Sequence, residues 1–145
     1  SCTLHVVQTP PAFPAPQAKP TVAISRAWRR AMVLSWLLVA AALIVVAVTG
    51  RNVGKPAWWI GPESKPTLFI VWALPFIGPA ASIVATFRIV RWAHIIGLAS
   101  AALIGVVAVF DINNSPGIAL IEFVIAVAAA LIAIASFAGR TKTKA

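Results

Sequence analysis

Four long apolar runs, separated by short polar stretches, dominate the chain. They cover residues 31–49, 67–87, 94–110 and 117–138, and none of them contains a Lys or an Arg. Each run has about the 17–25 residues that a helix needs to cross a ~30 Å hydrocarbon layer. The pattern predicts an all-α membrane protein whose four transmembrane helices form two antiparallel hairpins, with both termini in the cytoplasm.

The polar stretches divide the chain into three parts. Residues 1–24 form a Pro-rich tail, residues 25–139 the four-helix transmembrane domain, and residues 140–145 a basic C-terminal end. Closely spaced prolines favour extended polyproline II, which has no internal hydrogen bonds and cannot build a core. The tail is therefore predicted to be an extended cytoplasmic arm that binds a partner. The residues assigned to this contact are Pro10, Pro11, Phe13, Pro14 and Pro16.

The basic residues at the ends of the runs predict the orientation. Cytoplasmic flanks of membrane spans carry an excess of Lys and Arg. Nine basic residues flank one side: Lys19, Arg26, Arg29, Arg30, Arg88, Arg91, Arg140, Lys142 and Lys144. The other side has three: Arg51, Lys55 and Lys65. The loops that follow the first and third spans are thus expected to face outward.

Composition narrows the class further. Apolar residues make up 61% of the chain and the mean hydropathy is +0.95. The charged residues, 12 basic and 3 acidic, are too few for the polar shell of a soluble core of this size. Although the net charge is +9, the basic residues flank spans and do not form one patch, so nucleic acid is not an expected partner. The expected partners are lipids and other integral membrane subunits, in a bacterial inner (plasma) membrane.

Small residues recur every four positions along the third span, at Ala93, Gly97, Ala101 and Gly105. Side chains four apart lie on one side of a helix, so these residues predict a groove into which another helix can pack closely. That helix can belong to the same chain or to another subunit. The stripe is a packing signal and does not indicate catalysis.

The second span contains Pro75, Gly78 and Pro79. Each proline removes a backbone donor and clashes with the carbonyl four residues earlier, so a kink or a broken helix is expected. A broken helix exposes backbone groups that bind ions in transporters, whereas a kink is a structural feature that neighbouring helices accommodate. The kink is the favoured interpretation, because no charged or amide side chain in the spans accompanies it.

Glu122 is the one carboxylate within the predicted spans. It follows Pro116 by six residues, or about 9 Å of helix rise, which puts it near the outer interface. It could serve a proton-linked site, or it could pair with Arg51, Lys55 or a partner subunit. Structural pairing or snorkelling of Glu122 is favoured, and Asp111 is expected to be a solvated loop residue.

Aromatic and capping residues mark the predicted interfaces. Trp58 and Trp59 in the first outer loop are expected to lie flat on the membrane surface, with docking of a partner as the alternative. Ser25 is expected to cap the first helix. Ser115 and Pro116 are the expected cap and first-turn proline of the fourth.

The chain lacks recognisable catalytic patterns. Bis-His ligation of a haem by this chain would need a second span histidine besides His94, and the other histidine is His5 in the tail. No HExxH, CxxC, phosphate loop or nucleophile elbow occurs. The sequence therefore predicts a protein that is not an enzyme and holds no cofactor or metal of its own.

With four Ala/Val/Ile-rich spans, short loops and a Pro-rich cytoplasmic arm, the chain resembles the small supernumerary subunits of bacterial respiratory oxidases and actinobacterial respiratory supercomplexes. The resemblance implies a non-catalytic accessory subunit of the respiratory chain, with any haem and copper in partner subunits.

Two alternatives remain open. One is a small oligomeric transporter or channel that uses Glu122 and the break at Pro75 and Pro79; the other is a membrane assembly factor. Small multidrug transporters also have four spans, but their glutamate lies in the middle of span one, where this chain has only apolar residues.

Overall fold

The structure is a computed structural model that describes residues 22–61, 68–138 and 140–142. In these ranges it has four helices, each long and apolar enough to cross a membrane. They are α1 (Arg26–Asn52), α2 (Phe69–Arg88), α3 (Ala93–Asp111) and α4 (Pro116–Ala135). The predicted all-α, multi-pass membrane fold is confirmed. The tail residues assigned to partner binding, Pro10 to Pro16, lie outside the described residues.

The helices pack in a ring. Each helix contacts the next one along the chain, and α4 closes the ring by packing on α1. Two three-residue strands, β1 (Val22–Ile24) and β2 (Arg140–Lys142), pair antiparallel just before α1 and after α4. The chain therefore enters and leaves the bundle on the same side of the membrane. We call this side the inner end, and the opposite side, which carries the α1–α2 and α3–α4 loops, the outer end.

Buried residues recur at intervals of three and four along each helix and define the side that faces inward. The buried positions of α1 are Met32, Trp36, Val39, Leu43, Val46 and Gly50. In α4 they include Ala119, Glu122, Ala126, Ala129 and Ala133. An average spacing of 3.5 residues keeps one stripe of an α-helix facing its neighbours in a bundle. Most of the large aliphatic side chains of α4 point outward instead, among them Leu120, Val124 and Leu131.

Small residues bring α3 and α4 close together. A Cβ on Gly97 would lie 2.8 Å from the Cβ of Ala133 and 3.1 Å from Cζ2 of Trp36. The groove that the sequence predicts on α3 thus holds α4 of the same chain at this level. In lipid, where apolar surface gains nothing by leaving the solvent, such close contact is what favours helix association.

The strict four-residue stripe does not continue to the outer end of α3. Gly105 is only partly buried, while Ile104 and Ala108 are buried. An α-helix turns about 100° per residue, so eight residues carry Gly105 about 80° away from the side of Gly97. Seven residues return almost to that side, which explains why Ile104 faces inward.

Helix α2 stays continuous through both prolines. Pro75, Gly78 and Pro79 are buried within it. The Ser100 Oγ atom of α3 lies 2.8 Å from the Gly78 carbonyl oxygen and 2.8 Å from Ser82 Oγ. A Cβ on Gly78 would lie 2.9 Å from Ser100 Cβ, so the missing side chain makes room for this contact. These residues therefore join α2 to α3 and leave no break in the helix.

Two of the expected helix starts are present. The Ser25 hydroxyl accepts a hydrogen bond from the Trp28 N–H at 3.2 Å and caps α1. Pro116 occupies the first turn of α4, but the Ser115 side chain makes no capping hydrogen bond. At the other end, α4 ends at Ala135, before the predicted residue 138, and the Ser136 hydroxyl donates to the Ala133 carbonyl at 2.6 Å.

Gly97→Ala should destabilise the bundle, because the added methyl group overlaps Ala133 and Trp36. Overpacking of this kind costs about 1–3 kcal/mol. The free energy of unfolding in detergent, measured by reversible denaturation, reports the change.

Gly105→Ala is the matched control on the same helix. Its Cβ would lie at an ordinary 3.9 Å from Ala126 Cβ, and both variants gain the same helix propensity. Equal stability of the two variants would show that the Gly97 contact does not limit packing.

Candidate functional site

The inward stripes of α3 and α4 both carry a carboxyl group at the outer end of the bundle. Asp111 is the last residue of α3 and shares its buried side with Ile104 and Ala108. Glu122 lies in the second turn of α4, between the buried Ala119 and Ala126. Because the two stripes face each other, the helices bring these two acidic residues together.

Glu122 is fully buried and bonds to the outer loop. None of its surface is exposed. Its Oε1 accepts a hydrogen bond from the indole Nε1–H of Trp59 at 3.0 Å. The predicted partners Arg51 and Lys55 are both exposed at the outer end. An indole of the same chain therefore takes the place that the sequence assigned to a basic residue.

Asp111 is not the solvated loop residue that the sequence predicts. It is fully buried, and its Oδ1 accepts a hydrogen bond from the backbone N–H of Trp58 at 3.0 Å. Its backbone carbonyl accepts from the N–H groups of Asn114 and Ser115. The prediction is wrong because α3 continues to this residue, and its helical position turns the side chain inward.

The two tryptophans of the outer loop differ in burial. Trp59 is fully buried and packs edge-on against Phe76 of α2, with ring centroids 5.9 Å apart. Trp58 is half-buried, and its indole N–H donates to the Val107 carbonyl at 3.2 Å. The membrane-surface expectation is wrong for Trp59, because the loop folds back into the mouth of the bundle.

The loop and the carboxyl groups together close the outer end. Ala57, Trp59 and Ile60 are buried and pack with Val107 of α3 in one apolar cluster. The Asn114 amide donates to the Pro56 carbonyl at 3.3 Å and ties the second outer loop to the first. The α1–α2 loop is thus held by hydrogen bonds to α3, to α4 and to the loop between them.

The carboxyl groups can also interact with each other. Asp111 and Glu122 are close enough to interact electrostatically. Asp111 Oδ2 and Glu122 Oε2 are buried and have no hydrogen-bond partner among protein donors. Two neighbouring ionised carboxylates repel, whereas protonation of one of them removes the repulsion and supplies a hydrogen-bond donor. The arrangement is therefore suited to a hydrogen-bonded carboxyl pair.

The pair offers little to a metal ion. Within residues 22–61, 68–138 and 140–142, no group of three or more His, Cys, Asp or Glu is placed to hold one. His94 lies far along α3 from Asp111, near the inner end, where its ring centroid is 4.3 Å from that of Phe137.

The pair was not predicted from the sequence, because the expectations for Glu122 and Asp111 rested on their depth in the membrane. They did not use the side of the helix on which each residue lies. Glu122 is three residues after Ala119 and four before Ala126, which is the spacing of a buried stripe. Asp111 follows Ile104 by seven residues and Ala108 by three. This spacing could have identified both as inward-facing, but the contact with the outer loop depends on the folded loop and has no local signal.

Trp59→Phe should lower stability, because it keeps an aromatic side chain but removes the donor to Glu122 and part of the buried ring volume. Leaving a buried acceptor without its donor costs about 1–3 kcal/mol. Thermal and denaturant unfolding of the purified protein measure the loss.

Trp92→Phe is the control, since Trp92 is 52% exposed at the start of α3. We expect a small change there. A Trp59→Phe protein as stable as the control would mean that the indole hydrogen bond does not hold the loop.

Comparison with known proteins assigns no family. No protein-family model, no curated protein and no solved structure matches the chain. Function therefore has to be inferred from the residues and their geometry.

Proposed function

We propose that the chain is a non-catalytic accessory subunit of a larger membrane complex, which it stabilises through helix packing and through its N-terminal arm. We place this subunit in a bacterial plasma membrane as part of the same proposal. The main support is that each of the two buried carboxyl groups accepts a hydrogen bond from the chain's own outer loop. The side chains best suited to chemistry thus act as anchors.

The packing beneath the carboxyl pair supports the same conclusion. Trp36 and Leu43 of α1 and Ile104 of α3 are at most 1% exposed and belong to one apolar core with Ala126 and Ala129 of α4. A transport path for an ion needs polar groups or water along its length, because an unpaired charge in an apolar interior is costly. Apolar side chains fill this core, and the buried hydroxyls of Ser82 and Ser100 between α2 and α3 are hydrogen-bonded within the chain.

The outer surface of the bundle is suited to lipid and to other membrane subunits. Large apolar side chains are exposed on all four helices, for example Leu38, Ile77, Val106 and Leu131. Such a surface packs against acyl chains or against helices of neighbouring subunits. The Pro-rich arm, which precedes the described residues, would add a contact on the cytoplasmic side.

A respiratory complex is the host class that we propose, on the strength of the resemblance in composition and span pattern. In that setting, haem and copper would belong to partner subunits. A membrane assembly factor is the variant of this proposal in which the association is transient.

One observation favours a second candidate, a small oligomeric transporter. The carboxyl pair has two buried oxygens without a donor, Asp111 Oδ2 and Glu122 Oε2, and such a pair can take up and release a proton. The apolar interior beneath the pair and the unbroken α2 helix weigh against this function.

The chain should purify as part of a complex when its native membrane is extracted with a mild detergent. Mass spectrometry after size-exclusion chromatography should show other integral membrane subunits in fixed stoichiometry with it. Recovery as a free homodimer that catalyses cation flux in proteoliposomes would contradict the accessory role.

Glu122→Gln should leave the activity of that complex nearly unchanged. The Gln carbonyl oxygen can still accept from Trp59, and its amide can donate to Asp111, so the anchor is kept. The readouts are the turnover of the purified complex and proton flux in proteoliposomes that contain the chain alone. Proton-coupled flux in the wild type that disappears in the variant would support the transporter instead.

A further inference from the structure

Two adjoining cavities open at the outer end, beside the junction of α1 and α4. The first has a volume of about 300 Å³ and an apolar lining that includes Val45, Val46 and Ile121. The second has a volume of about 480 Å³ and is lined by the outer loops, including Pro56, Trp58 and Asn114. Lys55 and Ser115 line both cavities. An apolar groove thus adjoins a polar cavity, as an amphiphilic ligand requires.

The apolar groove runs along the helices into the membrane. Its lining extends from Val45 to Val53 on the α1 side, a rise of about 12 Å over eight residues. On the α4 side it extends from Pro116 to Ile121. A groove of this direction and length suits part of an acyl chain that lies parallel to the helices.

Unused hydrogen-bond donors lie where the groove meets the polar cavity. The Ser115 Oγ atom is buried, has no hydrogen-bond partner and does not cap α4. Pro116 has no N–H, and the N–H groups of Ile118 and Ala119 bond to the Ser115 carbonyl. The Gly117 N–H is therefore the backbone donor left at the start of α4, where the helix dipole favours negative charge. Gly117, in the first turn of α4, lines the groove at this point. These donors match the oxygens of a phosphate group.

The exposed charged side chains at the outer end are basic, as an anionic ligand requires. Among the described residues, Arg51 and Lys55 are exposed there, whereas the acidic Asp111 and Glu122 are fully buried. An anionic headgroup would therefore meet basic side chains at the rim of the cavity.

We propose that this paired cavity binds one anionic glycerophospholipid. Its phosphate lies by Ser115, Lys55 and the N-terminus of α4, and one acyl chain occupies the groove between α1 and α4. The site does not depend on the accessory role proposed above, since it is formed by this chain alone.

Gly117→Leu tests the groove without disturbing the fold. A Cβ at Gly117 would meet no atom within 4 Å, so a larger side chain can occupy the groove. The control is Ala102→Leu, which adds the same side chain at an exposed position of α3, outside the groove. Lys55→Gln tests the headgroup contact, with the exposed Arg30 of the inner end changed to Gln as its control.

The purified protein is placed in phosphatidylcholine nanodiscs, and its melting temperature is followed as phosphatidylglycerol is added. Native mass spectrometry counts the lipids that remain bound. We expect the wild type and both controls to be stabilised by phosphatidylglycerol and to retain one molecule. Gly117→Leu should lose this stabilisation. Lys55→Gln should weaken the apparent affinity roughly fivefold, as expected for one basic side chain near a membrane surface.

Three results would overturn the proposal. They are equal stabilisation by added phosphatidylcholine, an unchanged response of both Gly117→Leu and Lys55→Gln, or the same stabilisation by inorganic phosphate without phosphatidylglycerol. If Gly117→Leu does not fold, Lys55→Gln is compared with Arg30→Gln alone. Weaker phosphatidylglycerol affinity in Lys55→Gln but not in Arg30→Gln supports the proposal, and equal affinity in the two variants contradicts it.

Discussion

The close packing of α3 against α4 is the constraint on which the rest of the structure depends. In a membrane the hydrophobic effect does not drive two apolar helices together, so small side chains must let the backbones approach. Gly97 meets Ala133 in this way. Asp111 ends the buried stripe of α3, and Glu122 lies near the outer end of the buried stripe of α4. The packing that joins the helices therefore also brings two carboxyl groups together at the outer end.

Two buried carboxyl groups need compensation, because each ionised group loses several kcal/mol of solvation on leaving water. The outer loop supplies it through the Trp58 backbone N–H and the Trp59 indole. The loop in turn covers the carboxyls with Ala57, Trp59 and Ile60. Burial of the acidic groups and folding of the loop therefore depend on each other. The mouth of the bundle becomes closed, which is consistent with a structural role and leaves the lipid-binding cavity beside it.

Much of the fold could be predicted from the sequence, because span length and apolar composition are local properties. Four runs without Lys or Arg predict four helices, and Pro116 predicts the start of the last one. The stripe at four-residue spacing predicted the close packing at Gly97, whereas Gly105 is only partly buried because an α-helix has 3.6 residues per turn. Helix α2 is continuous through Pro75 and Pro79, and the contact of Ser100 with Gly78, which joins it to α3, has no local signal in the sequence.

The candidate site was harder to predict because it is formed by contacts between distant parts of the chain. Trp59 and Glu122 are 63 residues apart, and Trp58 and Asp111 are 53 apart. Interfacial tryptophans usually face the membrane surface and loop aspartates usually face the solvent. Predictions from these tendencies were wrong for Trp59 and Asp111, which are both fully buried. Helix periodicity contains the missing information for the two carboxyls, whereas nothing local predicts that the loop folds inward.

The most direct test is a double-mutant cycle on the free energy of unfolding, with Trp59→Phe and Glu122→Met measured singly and together. Methionine has a similar size but cannot accept the indole hydrogen bond as a carboxylate does. If Glu122 anchors the loop through Trp59, the two changes should be coupled by about 1–3 kcal/mol. Strictly additive effects would contradict the anchoring role and would return Glu122 to the candidates for membrane chemistry.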